Sequence, residues 1–245
     1  MRCQPHQEPP VYICTNNNQT CLLCDEASEQ PHPICVPCES ELPWLDEHCR
    51  ICALPLPMRG LLCGQCARRR PAFRQVEAPW HYGFPVDALI THFKHQRQWP
   101  LGRLLAQMLG NWLGHRFDEG LPRPDLLLPV PMATRRLRQR GYNQAQMLAE
   151  WISAQLKIPC NSQLLDRLRD TPAQQDLNAR ARKRNLNGAF ALATAEGIQG
   201  RHLALVDDVL TTGATAQALA RLLCDAGAKR VDVYCLARTP RPGDA

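Results

Sequence analysis

The sequence predicts an α/β protein, a parallel sheet flanked by helices, with a small cysteine-rich module in front of it. Three observations carry this. Short apolar runs alternate with amphipathic segments over residues 79–240; eight cysteines precede them in evenly spaced pairs; and the run LALV at 203–206 leads into two adjacent acids and a threonine–glycine loop. The 245 residues allow one ordinary domain and a small second one. The 44% apolar content supports a core, and the formal charge of +6 suits an anionic ligand without by itself naming nucleic acid.

The cysteine module comes first. The pairs CLLC (Cys21, Cys24), CVPC (Cys35, Cys38), CRIC (Cys49, Cys52) and CGQC (Cys63, Cys66) each begin 14 residues after the one before. A C-x-x-C turn offers two sulfurs on one side of an ion, and zinc takes four tetrahedral ligands. Four turns therefore make two closed sites, read as two structural zinc ions. Two pairings satisfy the arithmetic. Sequential pairing puts Cys21, Cys24, Cys35 and Cys38 on one ion and Cys49, Cys52, Cys63 and Cys66 on the other; crossed pairing joins first with third and second with fourth. Disulfides and an iron–sulfur cluster are the other uses of such cysteines. A module this small buries little core, so metal binding supplies its folding energy. The start MRCQPHQEPPVYIC lacks the charged and apolar segments of an export signal, and no run of about 18 apolar residues exists. A cytoplasmic protein with reduced thiols is expected. The expected order is a disordered tail at 1–20, a double zinc ribbon at 21–66, a linker at 67–78 containing ARRRPAF, the α/β domain at 79–240 and a tail at 241–245.

Within the α/β domain, VDALITHFKHQRQ (86–98) and LGRLLAQMLGNWLGHRF (101–117) have helical apolar spacing interrupted at Trp99–Pro100. DLLLPVP (125–131), HLALV (202–206) and RVDVYCLA (230–237) read as buried strands, while AQMLAEWISAQL (145–156) and ATAQALARLLCDAG (214–227) read as helices. Alternating strands and helices argue for a parallel sheet covered on both faces, with ligands beyond the carboxyl ends of its strands. His92 and His95, three apart in THFKH without a third ligand, read as ordinary helix residues.

The loop after 202–206 is the most informative stretch. Thr211, Thr212, Gly213, Ala214 and Thr215 lead into a helix, whose first N–H groups are unpaired and carry partial positive charge. Together with the hydroxyls they form a phosphate cradle. Asp207 and Asp208, expected to follow the strand, suit sugar hydroxyls or a hydrated Mg2+. One ligand uses both features: a ribose with a 5-phosphate and a metal-bound pyrophosphate. A nucleotide-binding P-loop would need glycine followed by lysine, and a dinucleotide fingerprint would need G-x-G; neither occurs. Two basic clusters accompany the loop: Arg135, Arg136, Arg138 and Arg140 before Gly141, and Arg180, Arg182, Lys183 and Arg184. Guanidinium groups pair well with phosphate oxygens.

VDDVLTTGAT resembles the phosphoribosyl-pyrophosphate (PRPP) signature of type I phosphoribosyltransferases. RRLRQRGYNQAQMLA (135–149) and RARKRNLNGAF (180–190) are similar to two further motifs of the ComF family, and the cysteine-rich start is like its GntX-type members. The resemblance implies a type I phosphoribosyltransferase-like sheet. It gives Asp207 and Asp208 the ribose hydroxyls, Thr211–Thr215 the 5-phosphate, Met132–Asn143 the pyrophosphate, and residues 170–187 the role of a mobile closing loop. It includes a lysine near Lys94. It also implies a role in natural transformation and use of external DNA, with PRPP and Mg2+ as ligands. Two readings follow. One is a glycosyltransferase with Asp207, Asp208, Arg135 and Arg136 at the reacting centre. The other is a non-catalytic protein that keeps the pocket and binds single-stranded DNA or DNA-processing proteins. The zinc module is expected to act as a hood over the pocket or to bind a partner.

Overall fold

A computed structural model describes residues 19–58, 60–168 and 188–240. They form two compact units divided between Glu41 and Leu42. The break falls between the second and third C-x-x-C pairs, inside the stretch read from sequence as one module. The tail assigned to 1–20 must be shortened, because Gln19–Thr20 is already a strand (β1) paired antiparallel with β2 (Ala27–Ser28). In this first unit the turn after β1 carries Cys21 and Cys24, and a single-turn helix, α1 (Val36–Ser40), starts at Cys35. Its apolar interior is little more than Ile34, and Ser28 Oγ donates to the Ile34 carbonyl at 2.7 Å. So small a core relies on its metal.

The second unit begins with the other four cysteines and α2 (Gly64–Arg68). The following segment was read as linker, yet it holds a strand: β3 (Val76–Glu77) pairs with the last strand, and β4 (Trp80–His81) continues the pairing. Two helices come next, α3 (Val86–Gln96) and α4 (Trp99–Asp118). Arg97 closes α3 in the left-handed region at φ 56°, and Pro100 stands in the first turn of α4, where its missing N–H costs nothing. Then come β5 (Leu126–Pro129), α5 (Thr134–Arg140), α6 (Gln144–Leu156) and an antiparallel pair, β6 (Leu165–Arg167) with β7 (Phe190–Leu192). The order closes with β8 (His202–Leu210), α7 (Ala214–Asp225) and β9 (Arg230–Arg238).

The main sheet runs β3–β9–β8–β5 and is parallel throughout. Leu126 lies opposite Leu203, and Asp207 opposite Cys235. Alternate side chains leave opposite faces of a strand. One face, with Leu128, Leu203, Leu205, Val231 and Val233, packs against α7 through Leu219 and Leu223 and against the cysteine turn through Ile51 and Cys63. The other face meets the helices α3, α4 and α6, as where Phe117 of α4 abuts Tyr234 of β9. Both faces are buried, which explains why these strands read as unbroken apolar runs. At the amino end of the sheet, Asp232 is fully buried between His202 Nε2 at 2.8 Å and Arg230 Nε at 2.9 Å.

Two expectations change. β8 does not stop at Val206 but runs to Leu210, so Asp207 and Asp208 lie within the strand. The ladder supplied by β9 extends it past the apolar run. The basic stretch after β5, expected to be a loop, is the helix α5. The segment 170–187 with Arg180, Arg182, Lys183 and Arg184, the residues before Gln19 and those after Pro240 lie outside the described residues.

The approach of α3 to α4 turns on one glycine. A Cβ at Gly102 would stand 2.4 Å from Phe93 Cδ2, and Phe93 is fully buried. Gly102→Ala is expected to cost about 1–3 kcal/mol by overpacking, read as a lower urea midpoint with unchanged slope.

Candidate functional site

The carboxyl ends of β5 and β8 bring together residues from four elements. Asp207 and Asp208 are consecutive in β8, so their side chains leave opposite faces of the sheet. Asp208 turns toward the helical face, where Lys94 of α3 holds its Oδ2 at 3.0 Å. Both members of this ion pair are largely buried, with 19% and 7% of their side chains exposed. Asp207 keeps partial solvent access and accepts from the Asp208 N–H at 2.9 Å. Burial first, and the Asp208 charge beside it second, push the Asp207 carboxyl up to about 8.

The threonine–glycine loop is held from behind. Gly213 caps α7 at φ 73°, a left-handed conformation that favours glycine. Thr212 Oγ1 accepts from the Ala214 N–H at 3.4 Å. Arg238, at the end of β9 and 5% exposed, donates to the carbonyls of Leu210 at 3.0 Å, Thr211, and Thr239 at 2.7 Å. Its Nε also reaches the Cys52 carbonyl at 2.9 Å. Sequence reasoning missed Arg238, and no local motif marks it.

The four arginines of α5 separate. Arg135, Arg136 and Arg138 are exposed, whereas Arg140 is half-buried and bonds Gln144. Desolvation, then Arg140 and Lys94, lower His95 below its ordinary value. Arg140 is thus the α5 arginine whose charge reaches His95, the neighbour of Lys94. Arg97 joins the group from the end of α3; its Nη2 lies 3.5 Å from where a Gly141 Cβ would stand. The next two residues are fasteners. Tyr142 donates its hydroxyl to the Phe93 carbonyl. Asn143 donates through Nδ2 to the Val130 carbonyl at 3.0 Å and accepts from the Ala145 N–H at 3.0 Å, capping α6. Together they fix the helix α5 relative to α3 and β5. Thr211–Thr215 and the pair Asp207–Asp208 adjoin along one chain, while the approach of Lys94, Arg97 and Arg140 is tertiary.

The cysteines form two clusters, Cys21, Cys24, Cys35 and Cys38, and Cys49, Cys52, Cys63 and Cys66, with the sulfurs of each within 4.8 Å of one another. This is the sequential pairing; the crossed one is excluded. Burial opposes ionisation at Cys21 and Cys49, but N–H groups pointing at the sulfurs outweigh it, lowering Cys21 to about 6 and Cys49 to about 7. Cys63 N–H, for example, points at Cys49 Sγ at 3.3 Å. Amides aimed at sulfur and four converging thiols fit a closed tetrahedral zinc site. Two such clusters support two structural zinc ions. Of the other cysteines described, Cys235 is buried and Cys160 and Cys224 are half-buried. No helix among the described residues is long and apolar enough to cross a membrane.

Comparison with known proteins fits these features. Residues 18–67 match the double zinc ribbon domain. The chain is 36% identical to the DNA utilization protein YhgH of Salmonella typhi over 89% of its own length and 96% of the relative's. It is 34% identical to competence protein F of Haemophilus influenzae, covering 88% and 90%, and 24% identical to competence protein ComFC of Bacillus subtilis, covering 89% and 95%. Among solved structures, a purine phosphoribosyltransferase from Pyrococcus horikoshii aligns with TM-score 0.34 and 17% identity, over 55% of this chain and 70% of that one. Fold and sites define a parallel α/β protein with a double zinc ribbon. The chain belongs to the ComF family.

Two outcomes are expected. Metal analysis of the purified protein gives two zinc ions per chain, one for each cluster; a value near one would refute the paired sites. Asp207 binds a proton in the fold that it loses unfolded, so the fold loses stability as pH rises from 3.8 toward about 8. Asp207→Asn removes that penalty. At pH 8 it is expected to stabilise the protein by about 1 kcal/mol or more, with the gain vanishing near pH 4, as read by thermal melts at both values.

Proposed function

We propose that this protein binds PRPP, or a related phosphorylated ribose, at the carboxyl ends of β5 and β8, and that it serves DNA uptake or the use of external DNA in the cytoplasm. The observation that carries the reading is the Lys94–Asp208 ion pair at 3.0 Å, set at the root of the loop Thr211–Thr215. A buried acid held by a lysine, directly before a helix start, suits a ligand with hydroxyls at one end and phosphate at the other. Asp207 and Asp208 take the ribose hydroxyls. The backbone and hydroxyls of Thr211, Thr212, Gly213, Ala214 and Thr215 take the 5-phosphate. Arg135, Arg136, Arg138 and Arg140, with Gly141 allowing the chain to turn, face the pyrophosphate. The names of the DNA utilization and competence relatives support the biological setting.

The acid pair also fits Mg2+ through Asp207, because among the described residues Lys94 pairs with Asp208 and leaves the Asp207 carboxylate without a cationic partner. Bound with PRPP, the ion would neutralise charge on pyrophosphate. If transfer occurs, the bond from the anomeric carbon to pyrophosphate breaks and one to an acceptor forms. No side-chain nucleophile is needed. The arginines stabilise the leaving charge, and the acids orient the sugar.

A second reading rests on the exposure of Arg135, Arg136 and Arg138 and of Trp99, which is half exposed and lies 6.3 Å from the Tyr142 ring. Exposed cations and an open ring suit single-stranded DNA without turnover.

Calorimetry with PRPP and Mg2+ is expected to show binding that the double change Asp207→Asn with Asp208→Asn abolishes; absence of heat with the wild type would refute the pocket. Pyrophosphate release in a screen of nucleobases, ammonia and glutamine would support transfer. Salt-sensitive strand binding that survives the aspartate changes, with no release, would support the second reading.

A further inference from the structure

A second cleft lies at the opposite end of the sheet. It has a volume of about 420 Å³ and is lined by Ile51, Arg70, Pro71, Ala72, Phe73, Arg74, Cys224, Lys229, Arg230 and Val231. Its size is that of a small-molecule site. Arg230 opens β9 and Arg238 ends it, so the cleft stands about 26 Å of strand away from the Thr211 loop at 3.3 Å per residue. The two are separate sites.

The cleft is built rather than incidental. The segment ARRRPAFR reads from sequence as a solvated basic linker, but the fold pins it at several points. The Ala72 N–H donates to Gln217 Oε1 at 2.8 Å, the Cys224 thiol donates to the Ala72 carbonyl at 3.7 Å, and the Arg74 N–H donates to the Val231 carbonyl at 2.7 Å. On the ribbon side, the Val76 N–H holds the Ile51 carbonyl at 2.8 Å. These bonds press Pro71, Ala72 and Phe73 into an apolar floor and leave Arg70 and Arg74 on its two sides.

Charge is one-sided. Four of the ten lining residues are cationic and none is acidic. Arg230 is already engaged by Asp232 and by Gln75 Oε1 at 3.1 Å. Arg70, Arg74 and Lys229 are exposed and have no carboxylate partner among the described residues. The acid nearest in chemistry is Asp225, which with burial raises the Cys224 thiol; it does not line the cleft. Three like charges around an apolar floor repel one another, and an anion relieves that repulsion.

We propose that this cleft is a second anion site, in which Arg70, Arg74 and Lys229 bind the phosphate of a ligand whose flat or apolar body rests on Ile51, Pro71 and Ala72. Nothing in the ribose-phosphate reading uses these residues.

Among the described residues Cys224 is the thiol that lines the cleft, and it reports on it directly. Its alkylation by iodoacetamide is followed in the full-length zinc-loaded protein by peptide mass spectrometry, with Cys160 and Cys235 as internal references. Deoxyadenosine 5′-monophosphate is expected to slow Cys224 saturably and to leave the references unchanged, while deoxyadenosine gives no protection. In Arg74→Glu with Lys229→Glu, each rate compared with that variant's own unliganded rate, half-protection requires at least about tenfold more nucleotide, about 1.4 kcal/mol. Asp207→Asn retains full protection, which separates this cleft from the site near Thr211. A 5′-phosphorylated oligonucleotide that protects at lower concentration than the mononucleotide assigns the phosphate to a strand end; the reverse order assigns it to a free nucleotide. No protection by either phosphorylated probe, equal protection by deoxyadenosine, or unchanged protection in the double variant would overturn the proposal.

Discussion

One buried guanidinium ties the parts of this protein together. Arg238 has no acid beside it among the described residues and is satisfied by backbone carbonyls of Cys52, Leu210, Thr211 and Thr239. A buried cation is tolerated only when its donors are used. Here their use links three things: the knuckle of the second zinc cluster, the end of β8 and the root of the threonine loop. The knuckle's shape depends on its metal, so the second cluster becomes part of the support for the loop. The second cysteine group folds with the sheet, with Cys49, Cys63 and Cys66 in its apolar core, while the first belongs to a unit of its own.

Around that anchor, charge is arranged with little slack. Burial, and the Asp208 charge beside it, raise Asp207, while Lys94 pairs directly with Asp208 and offsets the rise only in part. The fold bears this cost at the carboxyl end of its central strands, where apolar packing on both faces is strong enough to absorb it. The basic residues then divide by position. Arg140 and Arg97 stand by Gly141 and Tyr142, Arg135, Arg136 and Arg138 stay in solvent, and Arg70, Arg74 and Lys229 gather at the far end of β9. A net charge of +6 is therefore distributed among separate places, each with its own geometry.

Tyr142 and Asn143, at the end of the segment that the family resemblance assigns to pyrophosphate, have a structural role of their own. They spend polar side-chain atoms on the backbone, holding α5 against α3 and capping α6. The charged residues that reasoning from sequence underweighted, Lys94, Arg97 and Arg238, sit at helix or strand ends far in sequence from the groups they meet. No periodicity or spacing marks such residues, because their partners are chosen by how helices and strands pack.

What the chain announced by itself was local chemistry: four evenly spaced C-x-x-C turns, strands buried on both faces, and a threonine–glycine helix start after two acids. Those signals survive because zinc geometry, side-chain periodicity and helix-end polarity act over a few neighbouring residues. Tertiary structure alone decided that β8 runs on through both aspartates, that Val76–His81 joins the sheet, and that the basic linker is pinned into a cleft. Each of these depends on a partner distant in sequence, the ladder of β9 above all, and a hydrogen bond to such a partner leaves no trace in either strand's own pattern.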